Sequence, residues 1–441
     1  MNGARTSSEL SPGLLRVMER AKRNPHERQF SLAHLIDEEA LKRAYGRVRK
    51  KSAAGVDGMS KSEYGMDLDE KIRDLHQRLK TSKYRHQPIR REHIPKSGNR
   101  TRPIGISTVE DKVVQGALTE ILEAIYEAEF LNCSYGFRRR RSPHGAMRQL
   151  VSDVRKGGIN VILEADIESF FDRIVRPNLT KMLQKRIADK SFMRLVGKCL
   201  HVGVLDAGSF IRPDTGTVQG SIISPMLGNI YLHNVLDIWF EHEVKTRLSG
   251  RAFLIRYCDD FIIGFERMDD AQRVKEVLCK RMEKYGLTLH PEKTRLVEFK
   301  RPSLKQKGKK GGGNFDFLGF TVYWKQNRSG IGWHMACKTR KAKLSAAINA
   351  VYQQCRIGRH SPMSMQHKAL VDKVRGHFGY FGVNDNIRCL KILQITTKRA
   401  WFKWLNRRSQ RSKMTWERFS ELLDDYPLPT PRVYVNLWET P

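Results

Sequence analysis

The chain has 441 residues, room for two or three domains, and 40% of them are hydrophobic, enough for a proper core. Lys and Arg total 81 against 47 Asp and Glu; the resulting formal charge of +34 calls for a polyanion, with nucleic acid ahead of a membrane surface. No apolar run approaches the roughly 18 residues that span a bilayer, no signal-peptide core opens the chain, and seven cysteines without a CxxC pair predict free thiols in a reducing cytosol.

Residues 1–30 are polar and basic without a clear period, and read as a partly flexible start. Lys96 and Arg102 lie in PKSGNRTRP, an exposed Gly/Pro-rich stretch suited to a hairpin loop. Leu118, Ile121, Leu122, Ile125 and Tyr126 mark an amphipathic helix. Val161 to Ala165 is a short apolar strand interrupted by Glu164; it ends at Asp166 and IESFFD follows. Ser224 and Pro225 read as the N-cap and first position of a helix carrying Leu227, Ile230 and Tyr231. In RYCDDFIIGF (Arg256–Phe265), apolar runs flank Asp259 and Asp260, which predicts a β-hairpin with both acids at its turn. Lys300–Gly313 is a solvated basic loop whose glycines lack the spacing of a phosphate-binding loop. Leu344, Ala347, Ile348, Val351 and Tyr352 begin a second helical region. Residues 336–412 hold 17 Lys/Arg and only two acids, a basic face suited to phosphates. Within it, the spacing of Trp401, Trp404 and Leu405 fits a buried stripe. Pro427, Pro429 and Pro431 end regular structure, and no internal repeat is apparent.

An isolated Asp-Asp pair is usually a solvated turn. Adjacent carboxylates repel, however, unless a cation neutralises them. Asp166 lies 93 residues before Asp259, so the two meet only through tertiary folding. An acid on one strand beside an acid pair on a hairpin supplies oxygen ligands for two Mg²⁺ ions, with Mn²⁺ as the substitute. Such a pair activates a 3′-hydroxyl and clamps a transferring phosphoryl group.

Further blocks surround these acids: AAGVDG (Ala53–Gly58), IPKSGNRTRPIGI (Ile94–Ile106), Glu110–Gln115, SYGFRRRRSPHGA (Ser134–Ala146), EADIESFFDRI (Glu164–Ile174) and GTVQGSIISPMLGNIYL (Gly216–Leu232). GLTLHPEKT (Gly286–Thr294), FDFLGF (Phe315–Phe320) and VRGHFGYFGV (Val374–Val383) come after the Asp-Asp hairpin. In this order, over roughly residues 30–435, they resemble the reverse transcriptases, or maturases, encoded by group II introns. With no zinc-finger spacing and no terminal His/Asn cluster, the bacterial type lacking an HNH endonuclease domain is expected.

The resemblance implies an α+β right-hand polymerase: fingers and an antiparallel palm sheet packed on helices, then a helical thumb. The expected divisions are a basic extension over 1–30, fingers and palm over 31–335, thumb over 336–405 and a short basic DNA-binding region over 406–441. It assigns Asp166, Asp259 and Asp260 to catalysis, the same acids with Ile167 to the metals, and Lys293 to the leaving pyrophosphate as general acid. Lys96 and Arg102 are implied for the triphosphate, and Gln219 and Gly220 for the nucleotide sugar and template base. Phe171, or its neighbour Phe170, is implied as the gate against a ribose 2′-hydroxyl. Arg138–Arg141 is expected to grip template. Cys258 stands where the family usually has Ala, and Val218 where it usually has Pro. The implied function is RNA-directed DNA synthesis with intron RNA, DNA primer and target, and dNTPs as partners, together with assisted splicing and retrohoming. The setting is a bacterial cytoplasm, on the nucleoid when DNA-bound. A domesticated host or defence reverse transcriptase, and a maturase with a vestigial polymerase, are the alternatives.

Overall fold

The computed structural model describes residues 10–96, 100–206, 208–303, 312–327, 329–409 and 413–439. Ser11 accepts a hydrogen bond from the Leu14 amide and starts α1 (Pro12–Arg23), with proline in the first turn. Leu14 and Ala21 are buried, and Val17 and Met18 pack on the same core. The expected flexible start is therefore a helix from Pro12 onward; its i, i+3, i+4, i+7 apolar spacing is visible in the sequence. Residues 1–9 lie outside the described residues. Three further helices follow: α2 (Glu38–Arg47), α3 (Lys61–Tyr64) and α4 (Leu68–Lys80). Helices α1 and α2 pack on α5 (Val109–Tyr126), which Thr108 caps. Even Lys112, Gln115 and Glu120 of α5 are buried, so the expected amphipathic helix is a central pillar with buried residues on most of its faces.

Three sheets hang on these helices. β1 (Ile89–Lys96) and β2 (Arg100–Ile106) form the expected hairpin around PKSGNRTRP, whose tip, 97–99, lies outside the described residues. α6 (Pro143–Arg155), capped by Ser142, leads to β3 (Val161–Asp166) and the single turn α7 (Phe170–Arg173). α8 (Arg176–Gln184) and α9 (Lys190–Leu200) precede β4 (Val204–Asp206) and β5 (Ser209–Ile211), which extend the first hairpin in the order β2-β1-β4-β5. After α10 (Ser224–Leu232) come β6 (Ala252–Tyr257), β7 (Asp260–Phe265), α11 (Met268–Lys284) and β8 (Arg295–Glu298). These strands join β3 in an antiparallel sheet of order β6-β7-β3-β8. Ser224 is inside α10 rather than its cap: its hydroxyl donates to the Val218 carbonyl (2.9 Å), so it caps no amide.

Side-chain alternation gives this sheet two buried faces. Val161, Leu163, Ala165, Phe261, Ile263 and Phe265 enter the core shared with α1, α5 and α10. Ile162, Ile255 and Ile262 enter a second core with the C-terminal elements. Glu164 does not break β3; it is buried on that second face, paired with Arg295 and accepting from the Asp316 amide.

The C-terminal elements are β9 (Phe315–Phe317), β10 (Phe320–Gln326) and β11 (Trp333–Thr339), then α12 (Lys341–Ile357), α13 (Met363–Phe381), α14 (Ile387–Leu405) and α15 (Trp416–Asp425). A division at 336 would cut β11; the helices begin after Thr339. Trp401 and Leu405 are buried and Trp404 packs against the same core, as their spacing requires. Residues 413–439 form no separate unit. Phe419 is fully buried against Trp401, Trp416 stacks on Phe402, and Val435 bridges to Val383. Most of the basic loop expected over Lys300–Gly313 lies outside the described residues.

Candidate active site

Register builds the centre. In the β3–β7 ladder Asp166 stands directly opposite Asp260, and in the β6–β7 hairpin Tyr257 pairs with Asp260, leaving Cys258 and Asp259 as the turn. Cys258 has a left-handed backbone (φ 60°), and the turn is held from below by Arg256. That arginine is fully buried: Nε and Nη2 donate to the two Asp237 carboxylate oxygens, Nη1 to Asn229 Oδ1 and the Cys258 carbonyl, and Nη2 also to Ser134 Oγ. Gly136 lies against the same turn, where a Cβ would come within 2.3 Å of Cys258 Sγ. The SYGF block is thus packing support for the hairpin.

Burial and the crowding of carboxylates raise the proton affinity of Asp259 and Asp260. Burial, then Asp166, then Asp259 push Asp260 up to about 7. Asp259 is raised as well, chiefly by burial, with Arg102 and Lys293 opposing the shift. Lys293, in the turn before β8, forms an ion pair with Asp166. The side chain of Ile167 is buried in the core, so only its backbone is available to the site. Among the described residues no three His, Cys, Asp or Glu side chains converge into a ready-made metal cage. Mg²⁺ seldom needs one: it is commonly held by one or two carboxylates plus substrate phosphates. An acid cluster with raised proton affinities fits that demand.

The fold brings Arg102 toward the acids from β2. Its Nε donates to Gln219 Oε1 (2.8 Å), and the Gln219 carbonyl accepts from the Gly105 amide (2.7 Å). Gly220 has φ +108°, and a Cβ there would meet the Gly105 carbonyl oxygen at 2.5 Å, so the loop can lie on β2 only as glycine. Lys96 ends β1, and its side chain lies outside the described residues. Phe170 is 3% exposed in the first core, whereas Phe171 is half-buried beside it. The Phe171 carbonyl accepts from Thr217, which ties its turn to the Gln219 loop.

The arginine run divides. Arg138 is buried on Glu127 and two carbonyls, and Arg139 pairs with Glu123, so neither is free to grip a template. Several supports have little sequence signature. The Leu318 amide donates to Asp260, and the Leu318 carbonyl accepts from Tyr380 Oη of α13 (2.9 Å). Gln115, fully buried, accepts from Ser221 Oγ (2.9 Å) and the Ile222 amide (3.0 Å), bracing the Gln219 loop from α5.

Residues 94–322 match the family described as reverse transcriptase (RNA-dependent DNA polymerase). Protein YkfC of Escherichia coli (strain K12) is 36% identical over 202 residues, 45% of this chain and 52% of that protein. Group II intron-encoded protein LtrA of Lactococcus lactis subsp. cremoris is 35% identical over 213 residues, 47% of this chain and 35% of its own length. The putative COX1/OXI3 intron 1 protein of Saccharomyces cerevisiae is 29% identical over 302 residues, 57% of this chain and 36% of its own length. The chain thus spans about half of the first relative and about a third of the other two.

Proposed function

The chain belongs to the reverse transcriptase (RNA-dependent DNA polymerase) family, and on that premise we propose that it copies group II intron RNA into DNA and binds the same RNA to assist splicing and retrohoming. The observation that carries the polymerase reading is the register setting Asp166 opposite Asp260, one residue from Asp259. In this reading β3 and β6–β8 are the palm, β1, β2, β4 and β5 with the N-terminal helices the fingers, and α12–α14 the thumb.

Asp166, Asp259, Asp260 and the Ile167 carbonyl hold two Mg²⁺ ions, which when bound supply charge neutralisation and an activated 3′-hydroxyl. Arg102, with Lys96, receives the triphosphate. Gln219 is oriented by Arg102, and Gly220 allows the nucleotide close to the backbone. Phe171 closes the space at C2′. Lys293 neutralises Asp166 before substrate arrives and protonates the leaving pyrophosphate. Basic residues of α12–α14 bind intron RNA. No helix among the described residues is long and apolar enough to cross a membrane. An intact acid triad favours this reading over a vestigial polymerase.

Asp259→Asn keeps side-chain volume and removes a charged ligand. Primer extension on an annealed RNA template should fall to background while intron RNA binding and assisted splicing persist. Extension at near wild-type rate would overturn the metal assignment; loss of splicing as well would overturn the division between palm and thumb.

A further inference from the structure

We propose that a cleft along the outer edge of β6, remote from the acid triad, is a second RNA-binding site that grips a phosphodiester backbone. The cleft, about 910 Å³, opens between α6, the first residues of β6 and the segment around Glu241–Lys245. β6 is an edge strand, and the cleft is lined by its residues Ala252–Leu254. They lie five to seven residues before Asp259, roughly 17–23 Å along a strand. None of the three catalytic aspartates lines it.

Its charge is the informative part. Arg140, Arg141, Arg148, Lys156, Lys245 and Arg251 line the cleft against two carboxylates, Asp153 and Glu241. Those two acids pair with Lys156 and Lys245, and the four guanidinium groups have no ion-pair partner among the described residues. Three of the four are oriented by neutral acceptors: Arg141 by Asn132 Oδ1 (2.6 Å), Arg148 by the Asn436 carbonyl (2.9 Å) and Arg251 by the Gly157 carbonyl (3.1 Å). A carbonyl fixes a guanidinium fork without cancelling its charge, which leaves the remaining donors ready for phosphate oxygens. Arg140 makes no hydrogen bond or ion pair among the described residues and holds a left-handed backbone (φ 59°) at the rim.

A phosphodiester strand fits better than an acidic peptide. A peptide seated by strand addition would pair with the edge of β6, but Cys133–Tyr135 already cover its far end through two backbone hydrogen bonds to Arg256, both 2.8 Å; a peptide held by its carboxylates alone is the outcome that the polyglutamate chase separates. Ala252–Leu254 alone is too short a run for strand addition. Phosphates need only the spaced guanidinium forks.

The test uses the full chain with Asp259→Asn, so that binding is read apart from catalysis. A benzophenone amino acid replaces His242 on the cleft wall, and the probe is a fluorescein-labelled single-stranded RNA without primer. Crosslinking should be chased by unlabelled RNA but not by polyglutamate at equal charge. Arg140→Gln with Arg251→Gln should cut the crosslink about tenfold and lower the salt slope by roughly 1.4, about 0.7 per lost phosphate contact. The Lys pair at the same positions should restore most of it, and an unchanged melting temperature checks folding. No crosslink, one indifferent to the Gln pair, or one chased equally by polyglutamate would overturn the proposal. Each of these outcomes is separate from primer extension by the otherwise wild-type chain, which tests the polymerase reading.

Discussion

Phe170 and Phe171 are neighbours with ring centroids 5.1 Å apart, yet only Phe170 is buried, while Phe171 packs half-buried against the same core. Adjacent residues point in different directions, so one buried ring and one less buried ring were legible in the sequence, with Phe171 the favoured gate. Phe171→Ala should raise ribonucleotide incorporation relative to deoxyribonucleotide by roughly tenfold, the scale of one lost apolar contact, with RNA binding unchanged. Single-turnover rates with dNTP and rNTP measure it, and an unchanged ratio would move the gate elsewhere. His233 offers a different titration. It is buried in the π-helical turn His233–Asp237, and burial pushes its imidazole down to about 4 despite Asp237. The folded state therefore favours the neutral ring, and unfolding takes up a proton between about pH 4 and 6.5. Its contribution is complete above pH 6.5 and is lost as pH falls toward 4. Lowering the pH from 7 to 5 should cost about 2 kcal/mol through this residue. Urea midpoints at both pH values measure that loss, and His233→Gln should remove it.

At the scale of elements, α15 departs most from the reading of the sequence. It lies in the stretch expected to be a separate basic DNA-binding region, but Trp416 and Phe419 bind it to α14. The aromatic spacing was in the sequence; its partners, Trp401 and Phe402 on another helix, were not. Phe419→Ala should cost about 3–5 kcal/mol, as for a large ring removed from a packed core. Chemical denaturation measures it, and a loss under 1 kcal/mol would mean that α15 is not part of the packed core. The Asp-Asp hairpin was legible because apolar runs around two acids define both its strands and its turn. The Leu318 and Gln115 supports were not: a backbone amide carries no side-chain signature, and a buried glutamine reads as a surface one.

For the whole molecule, charge was legible and placement was not. A formal +34 predicts that RNA affinity drops by orders of magnitude between low and physiological salt, because each neutralised phosphate releases counterion. Filter binding across a salt series tests this, and a flat profile would contradict it. The sequence could not say that Arg138 and Arg139 are spent on Glu127 and Glu123, since ion pairing across elements depends on how helices are stacked.

The pairing of Asp166 with Asp260 has a consequence for how any preparation of this protein behaves. Strands alternate their side chains, so a slip of a single position between β3 and β7 turns Asp166 to the opposite face and dismantles the centre. The two strands are far apart in the chain, so their pairing carries a loop-closure cost that makes it slow. Specific activity then counts the molecules zipped in one alignment, and a mis-zipped molecule contributes nothing rather than a reduced rate. Turnover becomes a gauge of folding fidelity, read without any structural probe.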